Sequence, residues 1–310
     1  MTVERVLITG GTGFFGKSLL AAHRGGTREL VVLSRDPDGF LRSNPEFTGL
    51  PGVAFASGDV RDFEFPPGKF DAVLHAATPA SARLEAENPA EMRSIICDGT
   101  KRVLEFCRAR DVPHLLFISS GAVYGPQESE CERMGEEHPC RPVTVYGKGK
   151  LEAERLCLDS GIPTLIARCF AFVGPYLPLD IHFAAGNFLR DALLNRPVDV
   201  RGDGRPQRSY LDASDLVRWL WTLLESGTPG RIYNVGSGEA VSIEELARCC
   251  AALRSPALPV RIAEPAGEGP APRYVPDVTR VKTELGLIPS VDLAAALRNA
   301  FEFHRKRGIL

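Results

Sequence analysis

The 310-residue chain is 44% hydrophobic and carries 37 Lys and Arg against 39 Asp and Glu, a net charge of -2. That content excludes a disordered chain, and the near-neutral balance gives no reason to expect nucleic acid or an anionic membrane as partner. No apolar stretch approaches the roughly 18 residues that span a bilayer, and the first expected strand starts too close to Met1 for a signal peptide.

The chain opens on Val6-Leu7-Ile8-Thr9-Gly10-Gly11-Thr12-Gly13-Phe14-Phe15-Gly16, an apolar run that stops at a glycine-rich turn, followed by a helical pattern over Lys17–Ala22. Gly10 suits a tight turn, Gly13 lets backbone amides approach a pyrophosphate, and Gly16 lets the helix pack close on the strand. The helix N-terminus adds free N–H groups and a positive dipole end. Leu30–Leu33 follows at βαβ distance, which separates a dinucleotide loop from an ordinary turn. Thr12, Phe14 and Phe15 fall in the same cofactor loop.

The expected strands are Val3–Ile8, Glu29–Leu33, Val53–Ser57, Ala72–His75, Leu115–Ser119 and Thr164–Arg168. Alternating with helices, they specify an α/β fold with a Rossmann-like, doubly wound parallel sheet. Pro89–Arg110 carries Met92, Ile95, Ile96, Val103, Leu104 and Phe106 at helical spacing on more than one stripe. Two readings fit that helix: contact with both the sheet and a second subunit, or complete burial in the core. Beyond Gly174-Pro175 the chain is richer in Pro and Gly. A Rossmann domain over 1–175, with 206–236 packing back on it, and a smaller C-terminal α/β substrate lobe over 176–310 are expected. In that lobe Ser214–Leu224 reads as helix and Arg231–Val235 as strand. Ser242–Leu253 reads as a helix opened by a Ser242/Glu245 capping box. Glu264–Pro276 reads as a surface loop and Asp292–Lys306 as an amphipathic helix.

The eight cysteines show neither a C-x-x-C pair nor His/Cys ligand spacing, so most are expected to be small buried thiols of a reducing cytoplasm, with no metal site and no disulfide framework.

Chemistry concentrates in two further stretches. Leu115–Ser119 runs into Ser120, so hydroxyls stand at the carboxyl edge of the sheet, where doubly wound folds bind ligands. Tyr146 and Lys150 lie four apart at the start of a helix and share one face. A phenol titrates near 10, and a close ammonium with a cationic nicotinamide ring favours the phenolate needed for a general base. Tyr146 would then take a proton from a substrate hydroxyl, Ser120 would share a hydrogen bond with that oxygen, and hydride would leave the same carbon.

With these residues the chain resembles the extended short-chain dehydrogenase/reductase family, in its nucleotide-sugar epimerase/dehydratase branch, over nearly its whole length. The carriers are Thr9–Gly16, Gly58-Asp59-Val60, His75-Ala76-Ala77, Ser119–Gly125 and Tyr146–Lys150. They continue through Arg168–Pro175, Gly202–Gly204, Arg208–Asp215, Tyr233–Gly238 and Asp277. The resemblance implies Asp59 and Val60 against the adenine, Ala76 and Ala77 along the cofactor, and Lys150 on the nicotinamide ribose. It also implies Phe170 and Val173 at the cofactor and Thr78 and Ser120 at the substrate. Asn187 and Arg208 would face the substrate diphosphate, a homodimer is implied, and a guanidinium fork suits the anion.

Three departures matter. The place of the acid that holds the NAD ribose reads Ser34-Arg35-Asp36. Ser34 and Arg35 suit a 2′-phosphate, so NAD(P) is expected with a lean to NADP, while Asp36 leaves NAD open. Gly121 and Ala122 follow Ser120 where dehydratases and decarboxylases of the family carry acids, with Asp180 or His182 as substitutes from another loop. Glu264–Glu268 stands where the family often has an arginine for the diphosphate, and Arg273 is its candidate replacement. The expected activity is reversible hydride transfer at sugar C4, as a 4-epimerase or a 4-ketoreductase. The alternatives are a 4,6-dehydratase or UDP-glucuronate decarboxylase with an unusual acid, and a non-enzymatic NADP-binding regulator.

Overall fold

The structure, a computed structural model, describes residues 3–79, 81–180 and 183–308. In chain order it runs β1 (Arg5–Thr9), α1 (Phe14–Ala22), β2 (Glu29–Ser34), α2 (Pro37–Ser43), β3 (Val53–Ser57), β4 (Ala72–His75), α3 (Ala82–Glu87), α4 (Pro89–Ala109), β5 (Leu115–Ser120), α5 (Val145–Leu158) and β6 (Thr164–Cys169). It continues β7 (Phe172–Val173), α6 (Ala184–Leu193), β8 (Val198–Val200), β9 (Gln207–Arg208), β10 (Leu211–Asp212), α7 (Ala213–Ser226), β11 (Ile232–Val235) and β12 (Val241–Ser242). Then come α8 (Ile243–Ala251), β13 (Val260–Ile262), β14 (Arg273–Tyr274), α9 (Thr279–Leu285) and α10 (Leu293–Arg307).

Two compact units result. The first holds the chain up to Gly125 with Pro139–Cys169 and Val217–Tyr233, and the second holds Pro126–His138, Phe170–Leu216 and the chain from Asn234 onward. The central sheet has seven strands in the order β11-β6-β5-β4-β1-β2-β3, and the pairings along that order from β6 to β3 are all parallel. Its inner strands are apolar and buried along their length, as a sheet covered on both faces requires. The order reverses between β1 and β4, which creates the switch point where doubly wound sheets hold ligands. Thr9 and His75 are register partners at that point.

The expected strands are present, with ends shifted by a residue or two. Helix α1 starts at Phe14, three residues before the apolar pattern suggested, because Gly13 takes an extended N-cap conformation. Helices α2, α3, α6 and α9 were not anticipated, and the expected loop Glu264–Pro276 contains β14. The Ser242/Glu245 capping box forms as expected.

The second unit is built from a β12-β9-β14 sheet and the pairs β10-β7 and β13-β8. Asp215 at the start of α7 accepts from the Ser290 and Val291 amides and the Ser290 hydroxyl, which ties the segment before α10 to it. Among the described residues no helix is long and apolar enough to cross a membrane.

Gly16 shows how tightly the glycine loop is folded. A Cβ on it would stand 2.1 Å from both Cα and O of Gly11. Gly16→Ala is therefore expected to destabilise by roughly 1–3 kcal/mol and to lower the thermal midpoint by several degrees. A midpoint equal to that of the parent would show that the loop yields freely.

Candidate active site

The dinucleotide loop lies between β1 and α1. Gly10 takes φ +72°, a left-handed conformation that glycine adopts without strain. A Cβ there would also fall 2.5 Å from the Ala76 carbonyl oxygen. The Gly13 amide donates to the Gly10 carbonyl at 3.1 Å, and no side chain caps α1. An exposed glycine at an uncapped helix start is a cradle for an anion. Ala76 and Ala77 stand beside it, since the Ala76 amide donates to the Thr9 carbonyl at 3.1 Å and the Ala77 amide to Thr9 Oγ1 at 3.2 Å. These features fit a nicotinamide dinucleotide.

At the end of β2, Ser34 is buried and its Oγ accepts the Asp36 amide at 3.3 Å, while Arg35 is exposed. Asp36 is the N-cap of α2, with Oδ1 accepting the Gly39 amide at 2.8 Å. Asp59 is engaged by Arg61, which donates to Oδ1 at 2.8 Å and Oδ2 at 3.1 Å and also pairs with Glu91. The Arg61 hydrogen bonds hold the Asp59 carboxyl below its ordinary range against the opposing effect of burial. Val60 is buried and packs against Gly99 of α4.

The structure brings Ser120, Tyr146 and Lys150 together in the first unit. The Ala122 amide donates to Ser120 Oγ at 3.2 Å, and the same hydroxyl is hydrogen-bonded to Tyr146, a bond that favours the phenolate. Burial acts more strongly and pushes the phenol up to about 12. Lys150 is 2% exposed and donates to Thr78 Oγ1 at 2.6 Å and to the Ile118 carbonyl at 2.7 Å. Its ammonium sits 4.7 Å from the centre of the Phe117 ring. Thr78, expected at the substrate, is thus a hydrogen-bond partner of Lys150 that follows the cofactor-side Ala77 directly in the chain.

Burial pulls Lys150 down to about 8. The folded state then holds fewer protons than the unfolded chain between about pH 8 and about pH 10.5, so this lysine's contribution to stability is full above that window and lost as pH falls through 8. Lys150→Met is expected to remove it. The stability difference between the two proteins, measured by chemical denaturation from about pH 7 to about pH 11, should shift in favour of the parent as pH rises. A difference independent of pH would mean that Lys150 is solvated.

The model of the NAD dependent epimerase/dehydratase family matches residues 6–236. The chain belongs to that family. By this membership it is a nicotinamide-dependent enzyme of the extended short-chain dehydrogenase/reductase type. It is 29% identical to UDP-glucuronic acid decarboxylase 1 of Xenopus tropicalis over 98% of this chain and 72% of that one. Its fold matches UDP-glucuronic acid 4-epimerase from Bacillus cereus, solved with a fluorinated UDP-sugar and NAD, with a TM-score of 0.86. The identity is 21%, over 98% of this chain and 99% of that one. RMD from Pseudomonas aeruginosa, solved with NADPH, matches with a TM-score of 0.82 and 26% identity over 98% and 99%.

In this member of the epimerase/dehydratase family the remaining expected residues belong to the second unit. The Phe170 ring lies 4.7 Å from that of Tyr274. Val173 is fully buried in β7, paired with Asp212. Arg208 Nη1 donates to the Gln207 carbonyl at 2.8 Å, and its guanidinium stands 5.8 Å from the centre of the Tyr274 ring. Arg273, on the neighbouring strand β14, is the register partner of Gln207, and Tyr274 that of Arg208. Asn187 is half-buried in the first turn of α6, Asp180 is exposed, and His182 lies outside the described residues.

Sequence reasoning missed several residues of the first unit. His75, Thr9 and Thr100 form a buried side-chain chain beneath the loop, and Ser119, Glu154 and Arg168 another behind α5. Glu85 of α3 accepts the Tyr146 amide at 3.1 Å. Thr9, His75, Ser119 and Arg168 stand in the stretches that carry the resemblance, but nothing there indicated their side-chain partners; Glu154 has only its place four residues after Lys150.

Proposed function

We propose that this enzyme exchanges hydride at C4 of a nucleotide-activated sugar, as a 4-epimerase or a 4-ketoreductase. The observation that carries this reading is the hydrogen bond between Ser120 and Tyr146, with Ser120 Oγ also accepting the Ala122 amide, beside a buried Lys150. Tyr146 takes the proton of the C4 hydroxyl as the C4 hydrogen leaves as hydride, and returns it when hydride comes back. The bound dinucleotide supplies the hydride acceptor and donor. Ser120 holds the sugar oxygen, and Lys150 adds positive charge that favours the phenolate. Arg208 and Asn187 are assigned to the diphosphate on their chemistry. NADP is favoured over NAD because the Asp36 carboxylate is committed to capping α2 while Arg35 is exposed. A homodimer through α4 and α5 completes the proposal.

A second reading, as a decarboxylase or 4,6-dehydratase, draws support from the decarboxylase relatives. It lacks the usual acid, because Gly121 and Ala122 follow Ser120. Glu85, the carboxylate on the Tyr146 amide, is the residue it would enlist.

Purified protein incubated with UDP- and dTDP-sugars, with and without NADPH, separates the cases. Isomerisation without net cofactor consumption identifies an epimerase, and NADPH oxidation with a 4-keto sugar identifies a reductase. Release of CO₂ or water supports the second reading. Inactivity with every sugar nucleotide overturns the proposal.

A further inference from the structure

His75 ends β4 at the switch point, is 1% exposed, and has no part in the transfers just described. Its ring nitrogens meet two threonines, with Nδ1 2.7 Å from Thr9 Oγ1 and Nε2 3.0 Å from Thr100 Oγ1. Thr100 gives its proton to the Ile96 carbonyl, 2.7 Å away. It can therefore only accept from the ring, and the ring proton sits on Nε2. Nδ1 is then bare and accepts the Thr9 proton. Thr9 Oγ1 in turn accepts the Ala77 amide at 3.2 Å. One proton order satisfies every donor from Ala77 to Ile96.

We propose that His75, as the neutral Nε2–H tautomer, is a positioning residue that orients the Thr9 hydroxyl and so fixes the Ala76-Ala77 backbone against the Gly10 turn. The proposal rests on reading this edge as the dinucleotide site. The fit at that edge is close, since a Cβ on Gly10 would meet the Ala76 carbonyl at 2.5 Å. The next residue along, Thr78, accepts from Lys150, so the same short segment serves both the loop and the catalytic lysine. Burial, with Lys150's charge adding to it, holds the imidazole down to about 3 and thus neutral. A second ring proton would be aimed at Thr9 Oγ1, which would then have to turn its own proton away.

Asn and Gln separate the two arms of the ring, because an Asn amide falls where Nδ1 stands and a Gln amide where Nε2 stands. His75→Asn keeps an acceptor for Thr9, and His75→Gln keeps a donor for Thr100. His75→Gln is expected to weaken binding of NADH and NADPH by about tenfold or more and to speed Ala77 amide exchange by a similar factor, while His75→Asn stays within about threefold of the parent in both. Thr9→Val, which deletes the hydroxyl and keeps the shape, should behave as His75→Gln does and serves if that variant does not fold. Equal losses in the Asn and Gln variants would show a packing role and overturn the proposal. So would ring ¹⁵N spectra showing the proton on Nδ1 or a titration near neutral pH. If the parent bound neither dinucleotide, the cofactor reading would fail, while Ala77 exchange and the ring spectra would still decide the role of His75.

Discussion

Tyr146→Phe is expected to lower turnover of a sugar nucleotide by roughly 10²–10⁴-fold, the span typical of a lost general acid–base, with dinucleotide affinity and thermal midpoint near those of the parent. The substitution removes a single hydroxyl. Ser120 keeps its Ala122 donor, and Lys150 keeps Thr78 and Ile118, so neither neighbour loses a described partner other than the phenol. Activity falls because nothing else among these groups is placed to take the C4 proton: a serine hydroxyl is a far weaker acid than a phenol, and Lys150 is buried and bonded elsewhere. The expected acidity of the phenol rested on the ammonium together with a bound cationic nicotinamide; without the dinucleotide, burial pushes the phenol up to about 12. The Ser120 bond opposes that rise, and the cationic nicotinamide ring has to supply the rest when it is bound. Steady-state kinetics with a fluorescence titration of NADPH separates the two effects. Turnover within about threefold of the parent would place the acid–base elsewhere and remove Tyr146 from the mechanism.

What the sequence showed follows from how locally each feature is determined. The inner strands of the central sheet are buried on both faces and stand out as apolar runs, and the capping box of α8 lies within four residues. The Ser120, Tyr146 and Lys150 constellation was legible because strand end and helix face dictate where side chains go. Asp36 was read toward the cofactor, although Asp before Pro37 is also an N-cap followed by proline at the first helical position, and the structure gives it that role. The buried chains were invisible for a different reason. Thr9 and His75 are 66 residues apart, His75 and Thr100 25, and Ser119 and Glu154 35, so only the folded sheet brings them together. Glu154 stands four residues after Lys150 on α5, yet its hydrogen bonds go to Arg168 and Ser119.

That last network carries the largest expected change in stability. Glu154 and Arg168 side chains are 2% and 4% exposed and joined by two bonds, of 3.0 Å to Oε1 and 2.7 Å to Oε2. Ser119 donates to Oε1 at 2.5 Å, and the guanidinium lies 4.8 Å from the centre of the Tyr124 ring. Burial works against the arginine's charge, and the Glu154 hydrogen bonds and charge more than restore it. Glu154→Gln keeps the shape but leaves a buried guanidinium without its anion, which is expected to destabilise by roughly 3–5 kcal/mol. Replacing both partners, Glu154→Leu with Arg168→Met, should cost far less than the single changes together, because no unpaired charge remains. Urea denaturation of the two single variants and the double variant measures this coupling. A Glu154→Gln loss below about 1 kcal/mol would show that water reaches the pair. The consequence for catalysis is indirect: Glu154 stands one turn beyond Lys150 on α5, so the pair anchors to β5 and β6 the helix that presents Tyr146 and Lys150. Glu154→Gln should therefore lose activity as it unfolds, while the folded fraction keeps the parent's pH profile.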